Sequence, residues 1–292
     1  MRLAQFSHKG GPRQLGAVDG DEIIAITQGG DPETALINLL SDAAQAKLDE
    51  DSVRKLDGYR YRYGEVSLHS PVTRPGKFLA FGLNYDDHHK ESGMLRPEQP
   101  IVFNKQSTCV TGPFDPVIRP IASDQLDYEG ELGIVIGRRC RHVPRSRARE
   151  VIGGYTVIND VSVRDWQLAT PTMTLGKSWD THGPIGPWIS TPDEIADPHD
   201  LRIRTWVNKE LRQDGNTRDL LFDLDDIIEH LSKVCTLEPG DVIATGTPAG
   251  VGWAMSPKQF LQAGDVVRIE ISGLGAIENL IHDEANDDMT IE

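Results

Sequence analysis

Four short segments of the chain carry carboxylates and imidazoles in an order that predicts one active site for a divalent metal. They are residues 82–91, 127–131, 159–160 and 176–177. Carboxylates with no cysteine among them suit a hard cation such as Mg²⁺, and a histidine close to a glutamate suits the activation of water. The residue types therefore predict metal-dependent chemistry, although they do not specify one substrate.

The carboxylates of the predicted metal site come from two strands. Glu129 and Glu131 are two residues apart, so in a strand they project together, while the apolar residues of 132–136 fill the opposite, buried face. The alternative is the solvent-facing side of an edge strand. Asp160 follows the apolar strand 155–158 and brings a third carboxylate to its rim. Three carboxylates complete half of an octahedral Mg²⁺ shell and leave positions for water and substrate.

A histidine and a glutamate on one short helix form the predicted base. Residues 85–92 predict this helix, with Asn84 as its N-cap and Gly93 as its C-terminal stop. His88 and Glu91 then share a face, where the carboxylate can orient the imidazole and raise its basicity. The alternative is that they belong to the polar side of a surface helix.

Two further polar positions have both a functional and an ordinary interpretation. Lys177 beside a metal-bound oxyanion would add positive potential or relay a proton, whereas a lone lysine is usually a solvated surface charge. Thr247, in the glycine-rich stretch 245–252, offers a hydroxyl and nearby backbone N–H groups to an anionic oxygen, and the alternative is a simple strand-ending turn. A phosphate-binding loop at Gly176 is excluded because Pro171 stands where that motif needs glycine.

Composition limits the class of protein. A chain of 292 residues with 38% hydrophobic content can bury a core, and 30 Lys+Arg against 45 Asp+Glu give a net charge of −15. This charge argues against a nucleic-acid partner or an anionic membrane surface, while a small acidic substrate remains compatible with a local metal. Neither a signal peptide nor a membrane-spanning stretch is evident, so we expect a cytoplasmic protein. A disulfide framework or thiolate zinc site is not expected from three widely spaced cysteines, Cys109, Cys140 and Cys235.

The sequence predicts a β-rich α+β fold with two parts. Residues 1–70 are predicted to form a small N-terminal α+β domain, with a hairpin over 15–27 and a helix over 32–48. Residues 71–292 are predicted to form the catalytic domain, after a boundary rich in proline and glycine. Its one clear helix spans about 225–234. Its predicted strands are 132–136, 155–158, 201–207, 242–245, 266–271 and 276–281.

Taken together, these segments resemble the fumarylacetoacetate hydrolase superfamily from about Pro71 onward. Each matching piece is weak alone, but their joint occurrence in this order is specific. The pieces are Gly82-Leu83-Asn84-Tyr85 with His88 and Glu91, Phe103-Asn104-Lys105, Asp127-Tyr128-Glu129-Gly130-Glu131-Leu132, residues 159–167, Gly176-Lys177-Ser178 and residues 245–252. One departure is His89, where the family more often has a small residue.

The resemblance implies a mixed β-sandwich roll, usually a homodimer. It also implies Mg²⁺ or Mn²⁺ held by three carboxylates, a water-activating dyad on a lid, and a lysine beside the metal. The implied metal ligands are Glu129, Glu131 and Asp160, the catalytic residues His88, Glu91 and Lys177, and the substrate-binding residues Tyr85, Lys105, Arg164, Gln167 and Thr247.

The leading hypothesis for activity is hydrolysis of a C–C bond in an acylpyruvate or related 2,4-diketo acid, with release of pyruvate or a related keto acid. The alternative is the same metal-enolate chemistry applied to decarboxylation of a β-keto acid such as oxaloacetate, or to isomerisation of an unsaturated hydroxy-diacid. A third hypothesis, from another class, is a β-rich binding protein that holds a cation without turnover. The His88/Glu91 pair argues against it, because a purely structural cation site needs no adjacent base.

Overall fold

The computed structural model describes residues 1–26, 31–44 and 58–285. Within these ranges the chain has nineteen strands and five α-helices, which confirms the predicted β-rich fold. No helix in the described part is long and apolar enough to cross a membrane.

The larger of the two main sheets has twelve strands. Ten of them lie in the order β4 (Arg60–Arg62), β3 (Glu22–Ala25), β2 (Gln14–Asp19), β1 (Arg2–His8), β14 (Gly183–Ser190), β12 (Ile152–Asn159), β11 (Gly130–Ile136), β17 (Val242–Ala244), β6 (Phe78–Gly82) and β7 (Ile101–Lys105). The other two are β5 (Val66–His69), which pairs with β1, and β8 (Val110–Thr111), which pairs with β14. Neighbouring strands are antiparallel except for β17 with β6 and β14 with β8.

The smaller main sheet has five strands and forms the second layer. Its order is β16 (Glu210–Asn216), β15 (Arg202–Val207), β18 (Val266–Ile271), β19 (Gly275–Asp283) and β9 (Val117–Arg119). A short two-stranded sheet joins β10 (Leu126–Asp127) to β13 (Ser162–Val163). The helices are α1 (Pro32–Ala44), α2 (Asp86–Ser92), α3 (Arg164–Leu168), α4 (Thr174–Lys177) and α5 (Leu224–Val234).

The two main sheets pack face to face around one apolar core. Buried and half-buried residues alternate along β18, so one of its faces points into this core. By contrast, β11 and β12 are buried along their whole length, because α1 packs on their second face, with Leu36 and Leu40 in one apolar cluster with Val135 and Ile158. The strands that deliver the predicted metal ligands are therefore enclosed on both faces.

The predicted N-terminal domain continues the larger sheet. β1 pairs with β14, with Leu3 opposite Ile189, and Leu36 of α1 lies in the same apolar cluster as Val135 of β11. The boundary near residue 71 stays a prediction. Residue 27 of the predicted hairpin and residues 45–48 of the predicted helix lie outside the described residues.

Most of the predicted elements are found close to their expected bounds. The hairpin is β2 and β3, and the helix predicted at 225–234 is α5, which starts with a capping box at Asp223 and Asp226. β14 is not among the predicted strands, because two prolines and two glycines within Gly183–Ser190 argue against a central strand. The strand nevertheless lies between β1 and β12, with an irregular register against β12 between Tyr155 and Val157.

Candidate active site

Three buried carboxylates converge where β11 begins and β12 ends. Glu129 and Glu131 flank Gly130, which lies opposite Asn159 in the strand register, and Asp160 is the next residue. The Asp160 N–H donates to the Glu129 carbonyl at 2.9 Å. Ligand oxygens of the three side chains all lie within 4.8 Å of one another, and each residue is at most 5% exposed. The edge-strand alternative is wrong, since β11 lies between β12 and β17.

The carboxylate set fits a hard divalent cation. Glu131 Oε2 accepts the Gly246 N–H at 2.6 Å, whereas its Oε1 is buried and has no hydrogen-bond partner among the described residues. Burial, together with the negative charges of Asp160 and Glu129, raises the pKa of Glu131 well above its ordinary value. A buried acceptor without a donor, facing two other carboxylates, is the environment that a cation would neutralise.

Two lysines bind the same carboxylates. Lys177 Nζ lies 2.7 Å from Glu129 Oε2 and 2.7 Å from Asp160 Oδ2, and Lys105 Nζ lies 2.7 Å from Asp160 Oδ1. Burial would lower the pKa of Lys177, but its two ion pairs outweigh burial and raise it. Burial likewise opposes the ionisation of Glu129, yet the charges of Lys177 and Arg164 hold its pKa below the ordinary value.

The predicted dyad is in contact. His88 Nδ1 lies 2.8 Å from Glu91 Oε1, and Glu91 Oε2 accepts the Gly250 N–H at 2.9 Å. The adjacent His89 faces elsewhere, with its Nε2 3.2 Å from Asp86 Oδ1. Because the His88 imidazole lines the cavity beside Glu129, the interpretation as a merely solvated helix face does not hold for this residue.

The expected N-cap of α2 is wrong. The N-cap position is Tyr85, with no side-chain cap, while Gly93 ends the helix in the left-handed conformation as predicted. Asn84 instead donates from Nδ2 to the carbonyls of Phe222 and Thr245 and accepts the Phe222 N–H on Oδ1. Its buried amide therefore links the start of α2 to the segments that contain Phe222 and Thr245.

Arg164 is held by carboxylates next to the cavity. Its Nε donates to Asp127 Oδ2 at 2.8 Å, and its Nη1 donates to Glu129 Oε1 at 2.5 Å and to Gln167 Oε1 at 2.9 Å. Asp127 is completely buried, and it also accepts the backbone N–H groups of Gly252 and Trp253. No role was predicted for Asp127, although its position two residues before Glu129 predicts that it shares a strand face with the two glutamates.

Thr247 lies on the wall of the cavity, with its hydroxyl already paired. The hydroxyl donates to the Gly130 carbonyl at 3.0 Å and accepts from Gln213 Nε2 at 2.7 Å. Gly246 and Gly250 both have φ of +109°, a region that favours glycine, so the composition of this turn follows from its backbone path.

One cavity brings most of the predicted site residues together. Its polar lining comprises His88, Ser92, Glu129, Arg164, Gln167, Lys177 and Thr247. Its apolar lining comprises Phe81, Leu83, Met94, Phe103, Leu168, Met173 and Trp253. Five predicted site residues are not in its lining: Tyr85, Glu91, Lys105, Glu131 and Asp160. Lys105 is buried on Asp160 behind the wall, and the hydroxyl of the buried Tyr85 has no hydrogen-bond partner in the described ranges.

The fold is that of a known class of enzymes. The sequence model described as "Fumarylacetoacetate (FAA) hydrolase C-terminal" matches residues 77–282, and the chain belongs to this family. A mitochondrial oxaloacetate tautomerase of Xenopus laevis is 40% identical over 286 residues, covering 96% of this chain and 89% of the relative.

Two solved structures show the range of reactions among similar proteins. A maleylpyruvate hydrolase from Sphingobium sp. SYK-6, in complex with manganese(II) and pyruvate, has a TM-score of 0.81 and 37% identity over 98% of this chain and 100% of that chain. A 5-carboxymethyl-2-hydroxymuconate delta-isomerase from Mycobacterium smegmatis has a TM-score of 0.78 and 35% identity over 97% of this chain and 100% of that chain. Related enzymes thus include a hydrolase, an isomerase and a tautomerase.

Proposed function

We propose that this chain is a divalent-metal-dependent hydrolase that cleaves a C–C bond in an acylpyruvate or related 2,4-diketo acid. The observation that carries the proposal is the 2.8 Å contact between His88 and Glu91, with His88 in the wall of the cavity that also contains Glu129 and Lys177. A base that lies beside a carboxylate cluster and fixed cations can activate water next to an acidic substrate.

The proposed metal ligands are Glu129, Glu131 and Asp160, which fit Mg²⁺ or Mn²⁺ by their oxygen donors. When bound, such a cation supplies Lewis-acid polarisation of keto-acid oxygens. The bound manganese in the maleylpyruvate hydrolase structure supports this choice of metals. The homodimer implied by the resemblance stays part of the proposal.

In the proposed reaction His88 is the general base. Its Nδ1 is engaged by Glu91, so Nε2 takes a proton from water, and the hydroxide adds to the distal carbonyl carbon. Collapse of the adduct breaks the adjacent C–C bond and gives a carboxylic acid and the enolate of pyruvate. The imidazolium of His88 returns its proton to the enolate carbon, which gives pyruvate and restores the neutral base. Lys177 and Arg164 provide positive charge beside the keto acid, and Gln167 and Thr247 line its binding site.

A second candidate is keto–enol tautomerisation of oxaloacetate. The Xenopus laevis tautomerase, 40% identical over nearly the whole chain, specifically favours it. The same dyad would then move a proton between carbon and oxygen of the substrate, and no water would be added.

The test is pyruvate release from a panel of acylpyruvates and 2,4-diketo acids, with Mg²⁺ or Mn²⁺ and after EDTA treatment. Metal-dependent pyruvate, with ¹⁸O from labelled water in the new carboxylate, would support hydrolysis. If none of the acylpyruvates or diketo acids is cleaved, while the enol absorbance of fresh oxaloacetate decays faster with enzyme, tautomerisation replaces hydrolysis as the proposed function. Loss of CO₂ from oxaloacetate would instead identify a decarboxylase.

A further inference from the structure

The glycine-rich turn of residues 246–253 connects three acidic residues of the site. Its backbone N–H groups donate to Glu131 of the carboxylate cluster, to Glu91 of the dyad and to Asp127, which holds Arg164. A displacement of this one turn would therefore move a proposed metal ligand, the partner of the base and the support of a substrate-facing arginine together.

A buried side chain from the smaller sheet forms hydrogen bonds to this turn. Gln213 of β16 is completely buried, and its Nε2 donates to Thr247 Oγ1 at 2.7 Å and to the Pro248 carbonyl at 2.8 Å. Its Oε1 accepts the Gly130 N–H at 3.0 Å, between Glu129 and Glu131. Both amide hydrogens and the carbonyl oxygen are thus used, and they join the turn to the start of β11.

The backbone of β16 lies directly against the same turn. A Cβ at Gly250 would lie 1.9 Å from the Arg212 carbonyl oxygen, and one at Gly215 would lie 2.4 Å from Pro248 Cβ. The turn therefore has no room to move toward β16, and the Gln213 amide bonds hold it from moving away.

We propose that Gln213 is a positioning residue for the reaction. It does not line the cavity, and it acts through Thr247, Pro248 and Gly130 to hold Glu91 and Glu131 in register. Without these bonds the turn shifts, and the dyad and the carboxylate cluster lose their mutual alignment.

The test replaces Gln213 with methionine, which has a similar length and no N–H donor. Misalignment of catalytic groups should lower kcat about 10- to 100-fold with a smaller change in KM. Affinity for Mg²⁺, measured by calorimetry, should fall about 10-fold or more, because Glu131 loses its support. Hydrogen exchange of peptides covering 246–253 should become faster.

The matched control is Asn279→Leu in the same sheet. Asn279 is also a completely buried amide on a strand, β19, and donates to the carbonyls of Gly112 and Asp115, away from the site. It should lose stability but keep kcat and Mg²⁺ affinity within about twofold of the parent, as for an independent distant site. Thermal unfolding of both variants separates a loss of folded protein from a loss of function per folded molecule.

If Gln213→Met does not fold, Gln213→Asn takes its place, since it keeps an uncharged amide but is one methylene too short to reach Thr247, Pro248 and Gly130 together. Wild-type kcat and Mg²⁺ affinity in a folded Gln213 variant, or equal losses in Asn279→Leu, would overturn the proposal. The inference rests on the proposed function for the turnover assay, through the reaction, and for the calorimetry, through the metal site, whereas hydrogen exchange depends on neither. Calorimetry and hydrogen exchange need no substrate, so failure of the proposed reaction and failure of the positioning role give different results.

Discussion

Glu91 holds the His88 imidazole at Nδ1, with 2.8 Å between the two atoms, while its second oxygen accepts the Gly250 N–H. The carboxylate is therefore fixed from both sides. This geometry places the proton of a neutral imidazole on Nδ1 and leaves Nε2 as the acceptor. The base is thus oriented by the turn that also binds Glu131.

The neighbouring histidines allow a sharp test of this assignment. His88→Ala should lower kcat about 10²- to 10⁴-fold, the usual contribution of a general base. His89→Ala should leave kcat within about twofold, because His89 faces Asp86 outside the cavity. Initial rates of keto-acid turnover with saturating Mg²⁺ check both values. The reverse order of effects would assign the base to His89.

Much of the carboxylate cluster could be predicted from local sequence. Glu129 and Glu131 are two residues apart, so in a strand their side chains lie on the same face. Asp160 directly follows an apolar strand, which places it at the same end of the sheet. These features are local in sequence. The register between β11 and β12, which brings the carboxylates together, follows from the apolar pattern of each strand. The dyad was predictable for the same reason, since i,i+3 spacing places His88 and Glu91 on one helix face.

The partners of these residues could not be predicted, because they are distant in sequence. The amide of Asn84 reaches Phe222 and Thr245 instead of capping its own helix, and Gln213 reaches the turn from another sheet. Nothing in the residues around Gln213 distinguishes it from other polar residues on an antiparallel strand. Such contacts depend on how the two sheets pack, which periodicity alone does not determine.

Alanine substitutions at two glycines with similar φ distinguish the effect of backbone strain from the effect of a steric clash. Gly250 and Gly264 have φ of +109° and +91°, respectively. A Cβ at Gly250 would lie 1.9 Å from the Arg212 carbonyl oxygen, whereas a Cβ at Gly264 would meet no heavy atom of another residue within 4 Å. Both alanine variants should lose about 1 kcal/mol or more from the strained backbone. Gly250→Ala should in addition lower kcat about 10-fold or more by displacing the Glu91 contact. Denaturant unfolding and kcat, measured together, test this; equal kcat in the two variants would contradict it.

Buried His182 should make the protein sensitive to acid. Burial lowers its pKa from 6.5 to about 3, and its Nε2 lies 2.8 Å from the Ile118 carbonyl. The folded state disfavours protonation of His182. The contribution of its neutral imidazole to the free energy of unfolding is therefore complete above pH 6.5, and it is lost by about 1.4 kcal/mol per pH unit as the pH falls toward 3. In His182→Gln, the drop in unfolding free energy between pH 7 and pH 5 should be smaller by about 2 kcal/mol. His142→Gln, at an exposed position, should keep the parental drop.

Glu131→Gln should change stability in opposite directions with and without metal. In metal-free protein, burial and the charges of Asp160 and Glu129 disfavour the ionised form of Glu131 and raise its pKa, so an uncharged amide should raise Tm at pH 8. Mg²⁺ at 100 times its Kd should stabilise the parent by about 2.7 kcal/mol, and the variant far less, because a ligand is gone. Turnover should be lost with the metal site. Glu278→Gln, at the surface of β19, should behave as the parent in all three measurements. An active Glu131→Gln that Mg²⁺ stabilises as strongly as the parent would remove Glu131 from the metal site.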